Sequence, residues 1–390
     1  MDRLRLGLLM SGWRRLIEEE SEHQWLSFAV FTIIIIIGSI LIDWSGDLSG
    51  VHEGSSLEVK GLVMDSTEDT VLYQSETGTI INHLGDESSA TYATCLEEYR
   101  GMTLACLGTE GMLAYIGDGG PDCDTEWCQF SIGDNITATQ VSGNDLALLL
   151  IVQDGTSHSL AAIWYGDSEP NPSVTDYDDT MFLDVVMPTD EGWLIGGSWQ
   201  APPNWLGSNP ASPPKYELVL EATWDGVGAP AIEIIHIGGQ GTIHGLFETD
   251  NGYLATGTAD SILITGNNVE SLGISSQAAT DDNNGNVWLF GEIGSKTVAI
   301  YSEGEIVVEK MPEPLEIMPT FATCDEDGMI SVHGSDNSDK VSAFSIDTNA
   351  RTSFTSLRGV LDLGFIFVSL LILSIMAWNI ADAIRKGEVF

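Results

Sequence analysis

A short pattern recurs through the middle of the chain. A turn containing Asp or Asn leads to a Gly, then to a run rich in β-forming residues, and usually to a second Gly. The copies are DEGWLIGGS from Asp190, DNGYLATGT from Asp250, NNGNVWLFGE from Asn283 and DEDGMISVHG from Asp325. An apolar, alternating run precedes each copy, so each predicts a β-hairpin with an Asx-Gly turn. Hairpins repeated without helical periodicity predict a repetitive all-β domain.

Weaker copies of the pattern extend the repeat to seven units. They begin near residues 59, 91, 138, 182, 244, 278 and 320, with an average spacing of about 43 residues. That spacing is typical of a four-stranded propeller blade. We therefore predict an all-β fold, a seven-bladed β-propeller over residues 57–350. Six blades are the alternative, because the first unit is the weakest.

The stretch D-x-x-G-N-V-W-L-F-G from Asp282 resembles the repeats of two-component-regulator sensor propellers and of YVTN-type propellers. The resemblance covers residues 57–350. WD40 repeats have a similar length, but their closing Trp-Asp pair does not recur from unit to unit here. The resemblance implies an architecture and leaves the function open, because propellers carry many unrelated activities.

Two apolar segments flank the repeat. Trp25 to Ile42 comprises 18 residues without a charge, and Leu363 to Ala381 comprises 19. Each is close to the roughly 20 residues that a helix needs to cross a bilayer. We expect transmembrane helices at 25–43 and 360–382, joined to the propeller by linkers at 44–56 and 351–359. A cleaved signal peptide is disfavoured, since the first apolar run is too long and lacks a small-x-small cleavage site.

The flanking charges predict the orientation. Arg3, Arg5, Arg14 and Arg15 precede the first span, whereas residues 43–59 contain no Lys or Arg. By the positive-inside rule, both termini are cytoplasmic and the propeller is extracytoplasmic at the cell membrane. Residues 1–24 are then a cytoplasmic amphipathic segment, and 383–390 a short cytoplasmic tail.

The charge balance is strongly acidic. The chain has 14 basic and 58 acidic residues, net −44; residues 44–358 alone have 8 and 49, net −41. Such a surface repels nucleic acid and anionic lipid, so we expect no nucleic-acid partner. Two interpretations stay open: a salt-tolerant, solvated surface, and an acidic docking face for a basic partner.

The cysteine spacing predicts two disulfides and an oxidising compartment. Cys123 and Cys128 flank a four-residue loop, and Cys95 and Cys106 flank a hairpin centred on Arg100 and Gly101. Cys324 is left over. Asn135 begins a glycosylation sequon, NIT.

Two long insertions are the candidate binding loops. Residues 165–180 are expected to join one blade to the next, and 199–215 to interrupt the fourth blade between its second and third strands. Both would then lie on the face opposite the acidic turns. Large aromatic residues in such loops suit a binding surface; the candidates are Tyr165, Tyr177, Trp199 and Trp205.

Enzyme motifs are absent from the sequence. There is no HExxH, GxSxG or Walker A motif, and three Arg in residues 44–358 are too few for a sialidase. No cofactor is predicted, and calcium is the one open possibility. No complete EF-hand loop occurs; the acidic candidates are Asp281, Asp282, Asp325 and Asp327.

We therefore expect a membrane-anchored, extracytoplasmic scaffold that binds a protein, peptide or glycan, with the lipid bilayer contacted through two helices. A propeller hydrolase or lyase is the alternative of a different class. A subunit of an envelope or export complex is the third.

Overall fold

The computed structural model describes residues 24–55, 57, 60–89, 93–108, 112–117, 128–132, 137–145, 147–154, 157–164, 173–176, 180–202, 213–350 and 355–386. The chain forms two compact units. One is Ser49–Arg351, and the other combines Met1–Leu48 with Thr352–Phe390.

The unit Ser49–Arg351 consists of seven four-stranded antiparallel sheets, which are the blades of a propeller. We letter the strands A to D from the centre outward. Blade 1 comprises β2 (Leu62–Ser66), β3 (Thr70–Ser75), β4 (Gly78–His83) and β5 (Asp86–Ser89). Blade 2 comprises β6 (Ala93–Tyr99), β7 (Met102–Leu107), β8 (Met112–Gly117) and β9 (Cys128–Ser131). Blade 3 comprises β10 (Thr137–Gly143), β11 (Ala147–Asp154), β12 (Ser157–Trp164) and β13 (Ser173–Asp176). Blade 4 comprises β14 (Met181–Pro188), β15 (Trp193–Gln200), β16 (Lys215–Thr223) and β17 (Ala231–Gln240). Blade 5 comprises β18 (Ile243–Thr249), β19 (Gly252–Gly257), β20 (Ile262–Thr265) and β21 (Asn268–Ser271). Blade 6 comprises β22 (Ala278–Asp281), β23 (Val287–Phe290), β24 (Thr297–Ser302) and β25 (Glu305–Lys310). Blade 7 comprises β26 (Met318–Cys324), β27 (Met329–Ser335), β28 (Val341–Asp347) and β1 (Val51–Glu53).

The blades form a closed ring. Each A strand contacts the A strand of the next blade, and β26 of blade 7 contacts β2 of blade 1. The prediction of seven blades is confirmed, and the six-bladed alternative is wrong. The predicted hairpins are confirmed too, including the four strands of the unit that begins at Ile243.

Apolar layers between neighbouring blades form the core. The B strand of each blade has a blade on either side, so both of its faces are covered. All four residues of β23, Val287–Phe290, are therefore buried, and so are the first six of β15. Trp193 in β15 is 1% exposed, and its Nε1 donates to the carbonyl oxygen of Ser142 in blade 3 at 3.2 Å.

The ring is closed by a strand from the start of the propeller. Val51–Glu53 pair with Phe344–Ile346 of β28 and complete blade 7. The amide of Asp347 donates to the carbonyl of Gly50, and the amide of Gly54 to that of Ala343, both at 3.0 Å. The expectation that all of 44–56 is a linker is therefore wrong. A three-residue strand is too short for alternation to reveal it.

Six of the seven A strands carry a β-bulge at an equivalent place. The A–B register shifts at Met64, Thr94, Thr139, Asp184, His244 and Thr320. A bulge leaves one residue outside the ladder and turns its side chain away from the regular alternation. In blade 4 that residue is Asp184, in the middle of an otherwise apolar strand.

The other unit contains two helices that contact each other, α1 (Gln24–Ser45) and α2 (Thr355–Lys386). Gly38 of α1 lies against Phe365 of α2; a Cβ there would lie 2.5 Å from the ring. Among the described residues, Leu361–Asn379 is the one helical stretch that is long and apolar enough to span a membrane, with mean hydropathy 2.2. The apolar stretch in α1, Val30–Trp44, is shorter. Part of the predicted linker 351–359 belongs to α2.

The closure strand offers a test by proline substitution. His52 lies two residues from both Gly50 and Gly54, so the alternation of an antiparallel ladder makes His52 and Ser345 a hydrogen-bonded pair. We expect His52→Pro to lower the free energy of unfolding by about 1–3 kcal/mol through loss of that bond. Thermal unfolding of the full chain measures the change. The matched control is Glu53→Pro, whose amide points away from β28; equal destabilisation by both variants would contradict the closure.

Candidate functional site

The propeller has two faces with different chain connections. The A-to-B and C-to-D turns form what we call the turn face, which carries the acidic turns at Asp190, Asp250, Asn283 and Asp325. The B-to-C and D-to-A connections form the loop face, which includes residues 201–214 and 311–317.

One of the two predicted insertions has its ends where they were expected, and its residues 203–212 lie outside the described residues. Residues 201–214 connect strand B to strand C of blade 4 on the loop face, and the ends of the insertion are joined at the Gln200–Lys215 pair. The other prediction is partly wrong. Within 165–180, Ser173–Asp176 form the outer strand of blade 3, so the segment does not run directly from one blade to the next; residues 165–172 lie outside the described residues. A four-residue outer strand is too short to be distinguished from a loop by its sequence.

Four cavities open on the loop face of the described propeller. The largest, about 680 Å³, lies beside the closure strand between Met311–Ile317 and Phe344. Two others, of about 480 and 540 Å³, lie near Ile293 and Gly294. The fourth, of about 430 Å³, lies where blades 3, 4 and 5 meet. We call the fourth the polar pocket; it is lined by His158, Phe182, Asp184, Ser198, Lys215, Gly241, Thr242 and Thr258.

Asp184 reaches the polar pocket because it is the bulged residue of β14. Its side chain is exposed, and its Oδ2 accepts a hydrogen bond from the Thr242 hydroxyl at 2.7 Å. Thr242 is fixed in turn, since its amide donates to Thr258 Oγ1 at 2.9 Å. The concave walls desolvate the carboxylate and raise its pKa, against the opposing effects of Thr242, His158 and Lys215.

A cation and a histidine face Asp184 across the pocket. The Lys215 ammonium lies 3.7 Å from the centroid of the Phe182 ring, within range of a cation–π interaction. His158 meets the same ring edge-on, with centroids 6.0 Å apart. The amide of Leu183 donates to His158 Nδ1 at 3.2 Å, which leaves the proton of the neutral ring on Nε2. The pocket therefore combines an anion, a cation and a neutral donor.

A buried carboxyl group supports the wall behind the pocket. Glu217 pairs with Ser198 across strands β15 and β16, and its Oε1 accepts from the amides of Ala259 at 2.7 Å and Asp260 at 3.0 Å. Burial raises the pKa of Glu217, although these amide donors partly oppose the shift. The interaction links blade 4 to the B-to-C connection of blade 5.

The aromatic candidates have different outcomes. Trp199 is the penultimate residue of β15, half-buried against the apolar layer between blades 3 and 4, with its ring centroid 6.2 Å from that of Tyr216. It is therefore a packing residue at the base of the insertion and not an exposed residue at its tip. Tyr165, Tyr177 and Trp205 lie outside the described residues, as does Asn135.

One of the predicted disulfides is confirmed. Cys95 and Cys106 are bonded and face each other across the β6–β7 hairpin, with Cα atoms 5.1 Å apart. Arg100 and Gly101 both have positive φ in its turn, as the favoured two-residue hairpin turns require. Cys128 is disulfide-bonded as well, and its predicted partner Cys123 lies outside the described residues. Cys324 is a free thiol, and burial raises its pKa to about 11.

The proposed calcium residues are engaged in turn formation. Asp282 Oδ1 accepts from the amides of Asn284 at 2.8 Å and Asn286 at 3.0 Å, and Oδ2 from Trp288 Nε1 at 3.0 Å. Burial alone would raise the Asp282 pKa, but these donors outweigh it and hold the pKa below its usual value. Asp325 Oδ1 accepts from the amide of Met329 at 2.8 Å. Asp281 and Asp327 belong to the same two turns. No group of three potential metal ligands occurs among the described residues.

The turn face is acidic where blades 7, 1 and 2 meet. Glu68 shares a hydrogen bond with Glu326, which raises the pKa of Glu68, and the negative charges of Glu326, Glu98 and Asp69 add to the effect. Like charges this close repel one another, so this face contrasts with the mixed charges of the polar pocket.

Two further carboxyl groups join blades 1, 2 and 3. Asp65 Oδ2 accepts from the amide of Leu96 at 2.7 Å, and Glu97 Oε1 from that of Gly143 at 3.4 Å. Burial raises the pKa of Asp65 to about 7 and that of Glu97 to about 8, with the amide donors opposing. Each carboxyl group hydrogen-bonds to an A strand of the next blade, so their role is structural.

The three ionisable residues of the polar pocket were missed by sequence reasoning. One signal was available: Asp184 interrupts the apolar run FLDVVMP, and a charge within a buried strand needs an explanation. His158 and Lys215 are single residues at strand ends, and only the ring brings them next to Asp184 from neighbouring strands and blades.

Comparison with known proteins shows the fold alone. No family model and no curated protein sequence matches the chain. A chain of the mitotic checkpoint complex is 11% identical with TM-score 0.50, covering 77% of this chain and 92% of that one. Virginiamycin B lyase from Staphylococcus aureus is 10% identical with TM-score 0.50, covering 76% and 99%. A puromycin-hydrolyzing peptidase from Mycobacterium tuberculosis is 10% identical with TM-score 0.50, covering 74% and 51%. The chain is thus a seven-bladed β-propeller, similar both to a component of a protein assembly and to enzymes.

The raised pKa values of Asp65 and Glu97 predict how stability depends on pH. At a pH between a group's pKa in the unfolded state and its pKa in the folded state, the folded state binds more protons than the unfolded state does. The contribution of the two carboxyl groups to the free energy of unfolding is therefore full below about pH 4 and is lost as pH rises through 7 to 8. We expect Glu97→Gln to flatten the fall of unfolding free energy between about pH 5 and pH 9, by at most about 1.4 kcal/mol per pH unit and less where water screens the group. Chemical denaturation across this range measures the slope. Glu305→Gln, at an exposed position of β25 in blade 6, is the control, and the same slope in wild type and Glu97→Gln would refute the assignment.

Proposed function

We propose that the protein is a membrane-anchored, extracytoplasmic binding module whose loop face docks a protein partner. One observation carries the proposal: the cavities described above open on the loop face, where the ends of the long insertion of blade 4 also lie. A rigid face with several concave sites is suited to docking. Long non-repeating loops on a rigid scaffold are where binding residues concentrate.

Binding fits the polar pocket better than catalysis does. Its hydroxyl groups are committed, since Thr242 donates to Asp184, Thr258 accepts from the Thr242 amide, and Ser198 is 2% exposed. Nucleophilic catalysis requires a reactive group within reach of a general base and open to substrate. The pocket offers fixed charges and donors instead, which are the elements of recognition.

The partner is expected to carry a basic surface. Residues 44–358 have net charge −41, which attracts cationic surfaces and speeds association at low ionic strength. A protein or peptide can present many Lys and Arg residues in one patch, whereas a neutral glycan gains nothing from this field. The same charge leaves nucleic acid disfavoured.

Membrane anchoring belongs to the same proposal. The helix α2 has a stretch of 19 residues suited to spanning a bilayer, and we propose that α1 spans beside it, supported by the Gly38–Phe365 contact between them. The propeller begins and ends at one place, since the Asp347 amide bonds the Gly50 carbonyl. Two spans with the Arg-rich N-terminus in the cytoplasm leave the propeller outside.

Photo-crosslinking from the two faces tests the docking proposal. A photoreactive residue is placed in the full chain in its native membranes at exposed loop-face positions Pro202, Glu316 or Ser338, and at exposed turn-face positions Asp250, Asn284 or Glu326. We expect discrete protein adducts from the loop face that weaken as salt is raised. Equal adducts from both faces, or adducts from the turn face alone, would overturn the assignment.

Cysteine labelling tests the topology. In a Cys324→Ser background, Asn337→Cys lies in the propeller and Lys386→Cys at the end of α2. We expect a membrane-impermeant maleimide to label position 337 on intact cells, and position 386 only after permeabilisation. Labelling of position 386 on intact cells would show that the topology is wrong.

A further inference from the structure

We propose that the polar pocket binds a small zwitterion of the amino-acid or short-peptide class, with Lys215 receiving its carboxylate and Asp184 its ammonium group. This site is separate from the docking of a protein partner, and either proposal can fail without the other.

Lys215 supplies the anion-binding half of the pocket. Its ammonium is held over the Phe182 ring at 3.7 Å, and no carboxylate of the described residues forms an ion pair with it. A lysine fixed by an aromatic ring with its charge unpaired is prepared to receive an anion.

His158 adds a second donor to that half. Because Nδ1 accepts the amide of Leu183, Nε2 of the neutral ring carries the proton and can donate to a ligand oxygen. The edge contact with Phe182 fixes the ring beside Lys215. A carboxylate has two oxygens and can use both donors.

Asp184 supplies the cation-binding half. Thr242 occupies one site on Oδ2, and a carboxylate has about four acceptor sites, so the exposed group can accept more donors. Desolvation by the pocket walls raises its pKa, even with Thr242, His158 and Lys215 nearby, so a further positive partner would stabilise the ionised form. A ligand ammonium would supply one.

The surrounding charge selects a zwitterion over a simple ion. A field set by 49 acidic residues in 44–358 opposes a simple anion at Lys215. A simple cation would satisfy Asp184 and leave Lys215 unpaired and repelled. A ligand with both charges pairs with both groups, and about 430 Å³ lies within the range of small-ligand pockets.

The test uses the full chain in detergent and four probes followed by calorimetry: L-alanine, L-alanyl-L-alanine, N-acetyl-L-alanine without the ammonium, and L-alaninamide without the carboxylate. We expect the wild-type protein to bind alanine or the dipeptide saturably. Each blocked compound should bind at least about tenfold more weakly, because it loses one charge-assisted hydrogen bond. Absence of saturable binding of both zwitterions up to about 10 mM would overturn the proposal, as would equal affinity for the blocked compounds.

Variants assign the two halves of the site. Lys215→Met is expected to weaken zwitterion binding about tenfold and to abolish the preference for the zwitterion over L-alaninamide. Asp184→Asn is expected to weaken zwitterion binding about tenfold and to abolish the preference for the zwitterion over N-acetyl-L-alanine. Lys340→Met, in the loop-face connection between β27 and β28, is the matched control for Lys215→Met. Asp190→Asn, in the turn that follows β14 on the turn face, is the matched control for Asp184→Asn. Both control variants should bind the zwitterion as the wild-type protein does. Circular dichroism confirms that each variant is folded, and the wild-type probe series decides the proposal if a variant is not. Retained discrimination in both folded variants would refute the assignment.

Discussion

The pairing of Val51–Glu53 with β28 is the interaction on which the rest of the structure depends. Each blade buries its faces against two neighbours, so an open ring would leave two apolar blade faces in water. Closure with a strand from the other end of the domain replaces those exposed faces with a continuous apolar layer. It also joins Gly50 to Asp347, so that the domain begins and ends at one point.

A closed ring gives the two faces different capacities. The A-to-B connections of blades 4 to 7 are tight Asx-Gly turns, in which side chains such as Asp282 are occupied in shaping the turn. The B-to-C and D-to-A connections vary in length, and the four cavities described above open among them. The division between the two faces follows from strand order, and the proposed docking uses the loop face.

Electrostatics acts in two opposite ways in this domain. A net charge of −41 over residues 44–358 opposes compaction, yet carboxyl groups at Asp65, Glu97 and Glu217 hold neighbouring blades together by accepting backbone amides. Burial raises the pKa of all three, which lessens the charge that the inter-blade contacts must accommodate. The polar pocket differs, because there an unpaired lysine faces an exposed aspartate.

The sequence by itself determined the all-β class, the seven units, the hairpins with their Asx-Gly turns and the Cys95–Cys106 pair. All of these depend on residues that are close along the chain, where alternation, turn chemistry and spacing act directly. Only the tertiary structure decided the closure strand, the outer strand within 165–180, the burial of Trp199 and the polar pocket. Three- and four-residue outer strands contain too few residues to show alternation, and their pairing comes from a partner strand that already exists. His158, Asp184 and Lys215 lie on different strands and meet only because the ring places blades 3, 4 and 5 side by side, while a bulge in β14 turns the Asp184 side chain into the space between them.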